Sequence, residues 1–227
     1  GIATGGGTLD ILKMEVSNTA TDLLFKLTLN GDVSTTDWGK FMLGISTGST
    51  ATTNTGNGWG RPINLNSVLG GMDYWVGAWV DAGGGGQLWN YTGGAWAGPN
   101  APSAFGFTGA ASSVINITVT AASLGLAAGD LLYFDAYASG GGGGDGAVDA
   151  LANPNVAITS WGQTYTSDAT SGIYSYKFAG ISAADGTGYT YEGIGGSGNQ
   201  PIVRFSLNDF NAGSTLTSAT IKLNGAR

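Results

Sequence analysis

The sequence predicts an all-β chain folded as an antiparallel, jelly-roll-like β-sandwich with almost no helix. Hydrophobic residues recur with period 2 along most of the chain, and Gly, Asn, Asp and Thr fill the gaps between those runs. Helical periodicity is confined to two short stretches. About a dozen short strands without alternating helices belong to a sandwich, jelly roll or barrel rather than to βαβ units.

Taken in order, strands are expected near 8–16, 22–30, 40–46, 72–81, 87–92, 112–120, 130–138, 156–165, 173–180, 188–193, 201–207 and 216–223. The clearest is "DLLFKLTLN" (22–30), where Leu23, Phe25, Leu27 and Leu29 share one face and Leu24, Lys26 and Thr28 the other. "SSVINITVT" (112–120) does the same, with Ile115, Ile117 and Val119 inward and Asn116, Thr118 and Thr120 outward. "TAASLGLAAGD" (120–130) predicts a single helical turn, capped by Thr120 or Ser123 and stopped by Gly129. "DGAVDALANP" (145–154) predicts another, ended by Pro154. No internal repeat is visible. A boundary would fall most easily in "TSDATSG" (166–172), but the residues after it keep the strand pattern and are too few for a second core. The chain is therefore read as a single domain, with 166–227 adding strands to the sandwich.

Composition removes several functions. The 227 residues include no Cys and no His, so there is no disulfide framework, no ordinary zinc site and no Ser-His-Asp triad. Eight Lys and Arg against fifteen Asp and Glu give a net charge of −7 with no basic cluster, which argues against nucleic acid as a partner. Only 10% of residues are charged, while Gly, Ser, Thr and Asn abound. That balance suits a secreted or cell-surface bacterial protein, and a signal peptide removed ahead of Gly1 is expected. No apolar run reaches the ~20 residues of a membrane-spanning helix, so no membrane insertion is expected.

Motifs that imitate chemistry fail on context. "GISTG" (44–48) matches a nucleophile elbow, but no His exists and loop rather than helix follows it. "GIGGSG" (193–198) and "GGGGDG" (141–146) fit a dinucleotide fingerprint without the helix whose N-terminus would hold a pyrophosphate. Glycoside hydrolysis needs two carboxylates some 5–10 Å apart. Here Glu15 and Glu192 are the only Glu, and the Asp residues sit mostly at turns. Calcium is the one metal the composition admits, in a structural role, because it takes carboxylate, amide and carbonyl oxygens. Its candidate ligands are Asp32 and Asp37 in "NGDVSTTD", and Asp145 and Asp149 in "DGAVD"; neither matches an EF-hand loop. The glycosylation triplets at Asn90 and Asn116 carry little weight.

The stretch "GMDYWVGAWVDAGGGGQLWNYTGGAWAG" (71–98) holds four of the seven Trp. As a strand, 72–81 puts Met72, Tyr74, Val76, Ala78 and Val80 on a core face. Asp73, Trp75, Gly77, Trp79 and Asp81 fall on the other. If 82–86 is a hairpin loop, Asp81 faces Gln87, Trp79 faces Trp89 and Gly77 faces Tyr91. Trp75, Trp79, Trp89 and Tyr91, edged by Asp73 and Asp81, would then form an aromatic strip. Sugars suit it, since their apolar C–H faces stack on indole and their hydroxyls bond to carboxylates and amides. The opposing reading is that this face packs under the 92–102 loop or another strand, as Trp commonly does.

Several segments together resemble the β-sandwich modules grouped with the C-terminal domain of glucodextranase and, more distantly, DOMON and family 9 carbohydrate-binding modules. They are "TLDILKMEVSNTATDLLFKLTLNGDV" (8–33), "DWGKFMLGIST" (37–47), "GWGRPI" (58–63), "DYWVGAWVD" (73–81), "AGDLLYFDAYAS" (128–139) and "DGAVDALANP" (145–154). The resemblance spans roughly 8–165 and implies an antiparallel sandwich, an extracellular setting, carbohydrate binding and structural calcium. The expected function is a non-catalytic carbohydrate-binding module acting on a polysaccharide or glycan. The alternative is a structural or cell-surface adhesion domain without a small ligand. A glycosidase or lyase, the third reading, requires a close carboxylate pair in a cleft.

Overall fold

The structure, a computed structural model, describes residues 7–35, 38–48, 51–100, 105–153, 160–168, 173–180 and 189–192. The strands expected at 201–207 and 216–223 and the glycine motif at 193–198 lie outside these residues, as does Asp37.

The fold is an antiparallel β-sandwich. Its first sheet comprises β1 (Ile11–Asn18), β2 (Asp22–Leu29), β9 (Phe105–Thr108), β10 (Val114–Thr120) and β15 (Tyr189–Glu192), in the order β15-β1-β2-β10-β9. The second is built on β3 (Lys40–Ser46), β6 (Tyr74–Trp79), β7 (Gly85–Thr92), β8 (Ala95–Ala97), β11 (Leu131–Ser139) and β12 (Ala147–Ala150), in the order β12-β11-β3-β6-β7-β8. β14 (Tyr174–Lys177) shares the outer edge of β11 with β12, pairing residues Leu131 to Phe134 while β12 takes Tyr137 to Ser139. The strands that follow the 166–172 segment thus join both sheets, β14 on β11 and β15 on β1.

The core forms where the alternating faces meet. Leu23, Phe25 and Leu27 of β2 and Ile115, Ile117 and Val119 of β10 are fully buried, on the face their spacing predicts. Opposite them stand Phe41, Leu43 and Ile45 of β3, Val76 and Ala78 of β6, and Phe134, Ala136 and Ala138 of β11. Phe25 meets Phe134 edge-on, 5.8 Å between ring centres. Each such side chain removed from water contributes roughly 1.5–3 kcal/mol.

A third, smaller sheet lies on the outer face of the second. It consists of β4 (Ile63–Ser67), β5 (Gly70–Gly71) and β13 (Tyr165–Asp168), with β13 running parallel to β4. Ile63, Leu65 and Tyr165 from this layer enclose a second core with Met42, Met72, Trp75 and Tyr137. The second sheet is therefore buried on both faces over its middle.

Local expectations are corrected at three places. The turn after β10 is a 3-10 helix, Ala121–Leu124, whose Ser123 N–H is accepted by the Thr120 side chain. It stops at Gly125 in the left-handed region (φ 64) rather than at Gly129. "DGAVDALANP" contains a strand, β12, instead of a helical turn. Of the strand expected at 156–165, the described residues form a turn up to β13, which begins at Tyr165. "GISTG" runs along β3 into a loop, and Ser46 is fully buried with its hydroxyl taken by Ser67.

Candidate functional site

The site begins with the β6–β7 hairpin, whose register differs from the expected one. Trp75 faces Trp89, Gly77 faces Gln87 and Trp79 faces Gly85. The connection is residues 80–84, where Gly84 N–H closes onto Asp81 O at 2.9 Å through positive φ at Ala82, Gly83 and Gly84. Gly85 and Gly86 belong to the strand, not the loop. Trp79 explains this: its indole lies across Gly85, where a Cβ would come within 2.5 Å of the ring. The alternation also breaks at the bend at Asp73, so Met72 joins the second core while Tyr74 faces the first.

Trp75 is fully buried and stacks on Tyr137, 6.0 Å between centres and 21° between planes, beneath the third sheet. Asp73 is fully buried too; its carboxylate accepts the Thr47 N–H at 2.9 Å and the Thr47 hydroxyl at 2.7 Å, fastening the end of β3. These two residues pack. The others expected at the site stay partly open to solvent: Trp79, Trp89 and Tyr91 are half-buried, and Asp81 is ion-paired to Lys40 at 2.9 Å.

Two residues missed in the sequence complete the arrangement. Trp59, from the loop ahead of β4, packs against Gly77, whose missing Cβ would collide with its ring. It stands 6.3 Å from Trp79. The indole N–H groups of Trp59 and Trp89 both donate to Gln87 Oε1, at 2.9 and 3.1 Å. Among the described residues no acceptor engages Gln87 Nε2, which leaves a donor between the indoles. The second is Arg61, 4% exposed, whose Nη1 donates to Ser139 Oγ, Gly140 O and Asp145 O at 2.8, 3.2 and 3.0 Å. Its guanidinium lies 5.6 Å from the Trp59 ring centre. Burial lowers its pKa, opposed by the charge of Asp145. Beyond this strip Tyr91 and Trp96 meet edge-on at 5.4 Å.

The sequence did hold a signal for Trp59. A glycine between two outward Trp leaves a slot the width of a ring, and something must fill it. Gly77→Ala is expected to lift Trp59 off the sheet, lowering stability by about 1–3 kcal/mol and shifting the Trp emission. An unchanged emission spectrum and unfolding midpoint would show that Trp59 does not rest there.

Three of the expected calcium ligands accept backbone N–H groups. Asp32 accepts the Ser34 N–H at 2.8 Å, which holds its pKa below the usual value. Asp145 accepts the Gly142 N–H at 2.8 Å and closes the glycine loop. Asp149 is buried and accepts the Ile11 N–H at 2.6 Å. Asp37 is outside the described residues. Among the described residues, no three of His, Cys, Asp or Glu come together, and no helix is long and apolar enough to cross a membrane. No protein-family model matches the chain, and no curated protein or solved structure does.

Proposed function

We propose that the protein is a non-catalytic carbohydrate-binding module of a secreted or surface bacterial protein, and that the strip of Trp59, Trp79, Gln87 and Trp89 is its sugar site. The observation that carries this reading is Gln87. One amide oxygen gathers two indole N–H groups, fixing both rings, while its amide N–H donors stay available beside them. Stacking surface with an adjacent hydrogen-bond donor is what an aldose ring needs. Asp81 adds an acceptor at the rim. The resemblance to sugar-binding sandwich modules points the same way.

Trp79→Ala is expected to lower affinity for soluble polysaccharides by about tenfold or more, read by affinity electrophoresis and quenching of Trp fluorescence. Gln87→Ala is expected to act likewise with little change in unfolding midpoint. If no glycan on a broad array binds or quenches, the sugar reading fails. The adhesion-domain reading then stands, favoured by the tight seating of Trp59 on Gly77 and of Gly58 on Trp89.

A further inference from the structure

A second pair of indoles lies at the same end of the second sheet. Trp38 and Trp161 are 37% and 38% exposed, and their rings meet edge-on, 6.2 Å between centres. Neighbouring indoles left this open on a surface indicate a use for them. They flank the glycine loop 140–146: Trp161 packs over Gly140, and Trp38 lies against Gly141. At Gly143 and Gly144 none of the described residues stands within 4 Å of where a Cβ would be, so backbone lines this side of the loop. The loop is held in shape by Gly142 N–H on Asp145 Oδ2 at 2.8 Å and Gly146 N–H on Trp161 O at 2.5 Å.

This pair is tied to the first. Arg61 touches the Trp59 ring on one side and holds Gly140 O and Asp145 O on the other. Lys40, the ladder partner of Trp79, reaches the Trp38 carbonyl at 3.0 Å as well as Asp81. Trp38 is two residues from Lys40, which places its Cα at most about 13 Å from that of Trp79. Charges between the pairs are balanced: Lys40 is matched by Asp81, and Arg61 is enclosed. With a net charge of −7 overall, an acidic polymer would be repelled.

We propose that Trp38 and Trp161 form a second subsite, continuous with the first, so that the surface grips an internal stretch of a neutral, linear polysaccharide with equatorial linkages, whose rings stay flat enough to stack. The proposal rests on the sugar reading of the Trp59–Trp79 strip. Two linked contacts on one chain raise affinity by effective concentration, so longer chains bind tighter.

The test compares wild type with Trp38→Ala and Trp161→Ala by titration calorimetry. The probes are hydroxyethylcellulose, glucomannan and xylan, each beside its own disaccharide and hexasaccharide. Both variants remove surface rings, and equal unfolding midpoints will confirm that they fold. The expected result is at least about a tenfold loss for hexasaccharide and polymer, with disaccharide binding unchanged. If wild type binds and the variants bind the polymer equally well, the second subsite is overturned and the first survives. If wild type binds none of the probes, both fall.

Discussion

Trp75→Ala is expected to destabilise the protein by about 3–5 kcal/mol, which in a domain of this size lowers the thermal midpoint by about 10 °C. Trp75 is the largest of the fully buried side chains among the described residues. It sits where the second sheet meets the third, stacked on Tyr137 and enclosed with Met42, Met72, Ile63, Leu65 and Tyr165. Those neighbours belong to strands with their own ladders, so they cannot collapse fully into the space an indole leaves. The cost therefore includes a cavity as well as the lost transfer energy. Trp75→Phe provides the control. Among the described residues the indole Nε1 has no hydrogen-bond partner, so Phe gives up some volume but also removes a buried donor that none of them satisfies. Its cost should be near 1 kcal/mol. Urea denaturation followed by circular dichroism measures both. A loss below about 1 kcal/mol for Trp75→Ala would mean that the third sheet is not packed through this ring. Below its transition the variant should still bind whatever Trp79 binds.

That contrast between Trp75 and Trp79 was not legible in the sequence. Both lie on the same face of β6, and local pattern assigns them the same environment. What separates them is β4 and β13, paired in parallel although Ile63 and Tyr165 are far apart in the chain. No local signal announces such a partner. The strands of the first core were legible, because β2 and β10 each bury one face and wet the other. β12 was misread for the opposite reason. Val148 and Leu151 enter the first core while Ala147 and Ala150 enter the second. With both faces buried, period 2 vanishes and the spacing of apolar residues imitates a helical turn. The hairpin register slipped because glycines ordinarily mark loops, whereas Gly85 and Gly86 stand in the ladder, and Gly85 makes room there for Trp79. Of the strip, Trp79, Gln87 and Trp89 lie on the hairpin that the sequence singled out, whereas Trp59 comes from the loop ahead of β4.

Stability is expected to fall as pH rises from about 4 to about 7, because two buried aspartates favour their protonated forms. Asp135 is fully buried between β11 and the third sheet. Loss of solvent pushes its pKa up to about 7, although it accepts the Ser167 hydroxyl at 2.5 Å and the N–H groups of Ala136 and Ala152 at 2.8 and 2.9 Å. Ser167 in turn is bonded to Tyr137 Oη at 2.9 Å, so the charge would sit inside the contact that joins the two layers. Asp149 is raised to about 7 as well, chiefly by burial, with the Ile11 N–H opposing and the charge of Asp10 adding to it. In the unfolded chain both titrate near 3.9. Below that value both states are protonated and stability is fully present. Between about 4 and 7 the unfolded chain releases protons that the folded one keeps, so stability declines, levelling off above the folded values. A three-unit shift corresponds to at most about 4 kcal/mol per group. Glu15 acts the other way: Lys26, helped by Lys13, lowers its pKa, but that cluster is partly exposed and contributes little. Asp135→Asn imitates the protonated acid, with Oδ1 accepting the two N–H groups and Nδ2 donating to Ser167. It should leave stability at pH 4 nearly unchanged and flatten roughly half of the decline, with Asp149→Asn flattening the remainder. Urea midpoints taken at half-unit steps from pH 4 to 8 measure this. A midpoint that is level or rises with pH would mean that both carboxylates are charged in the folded protein.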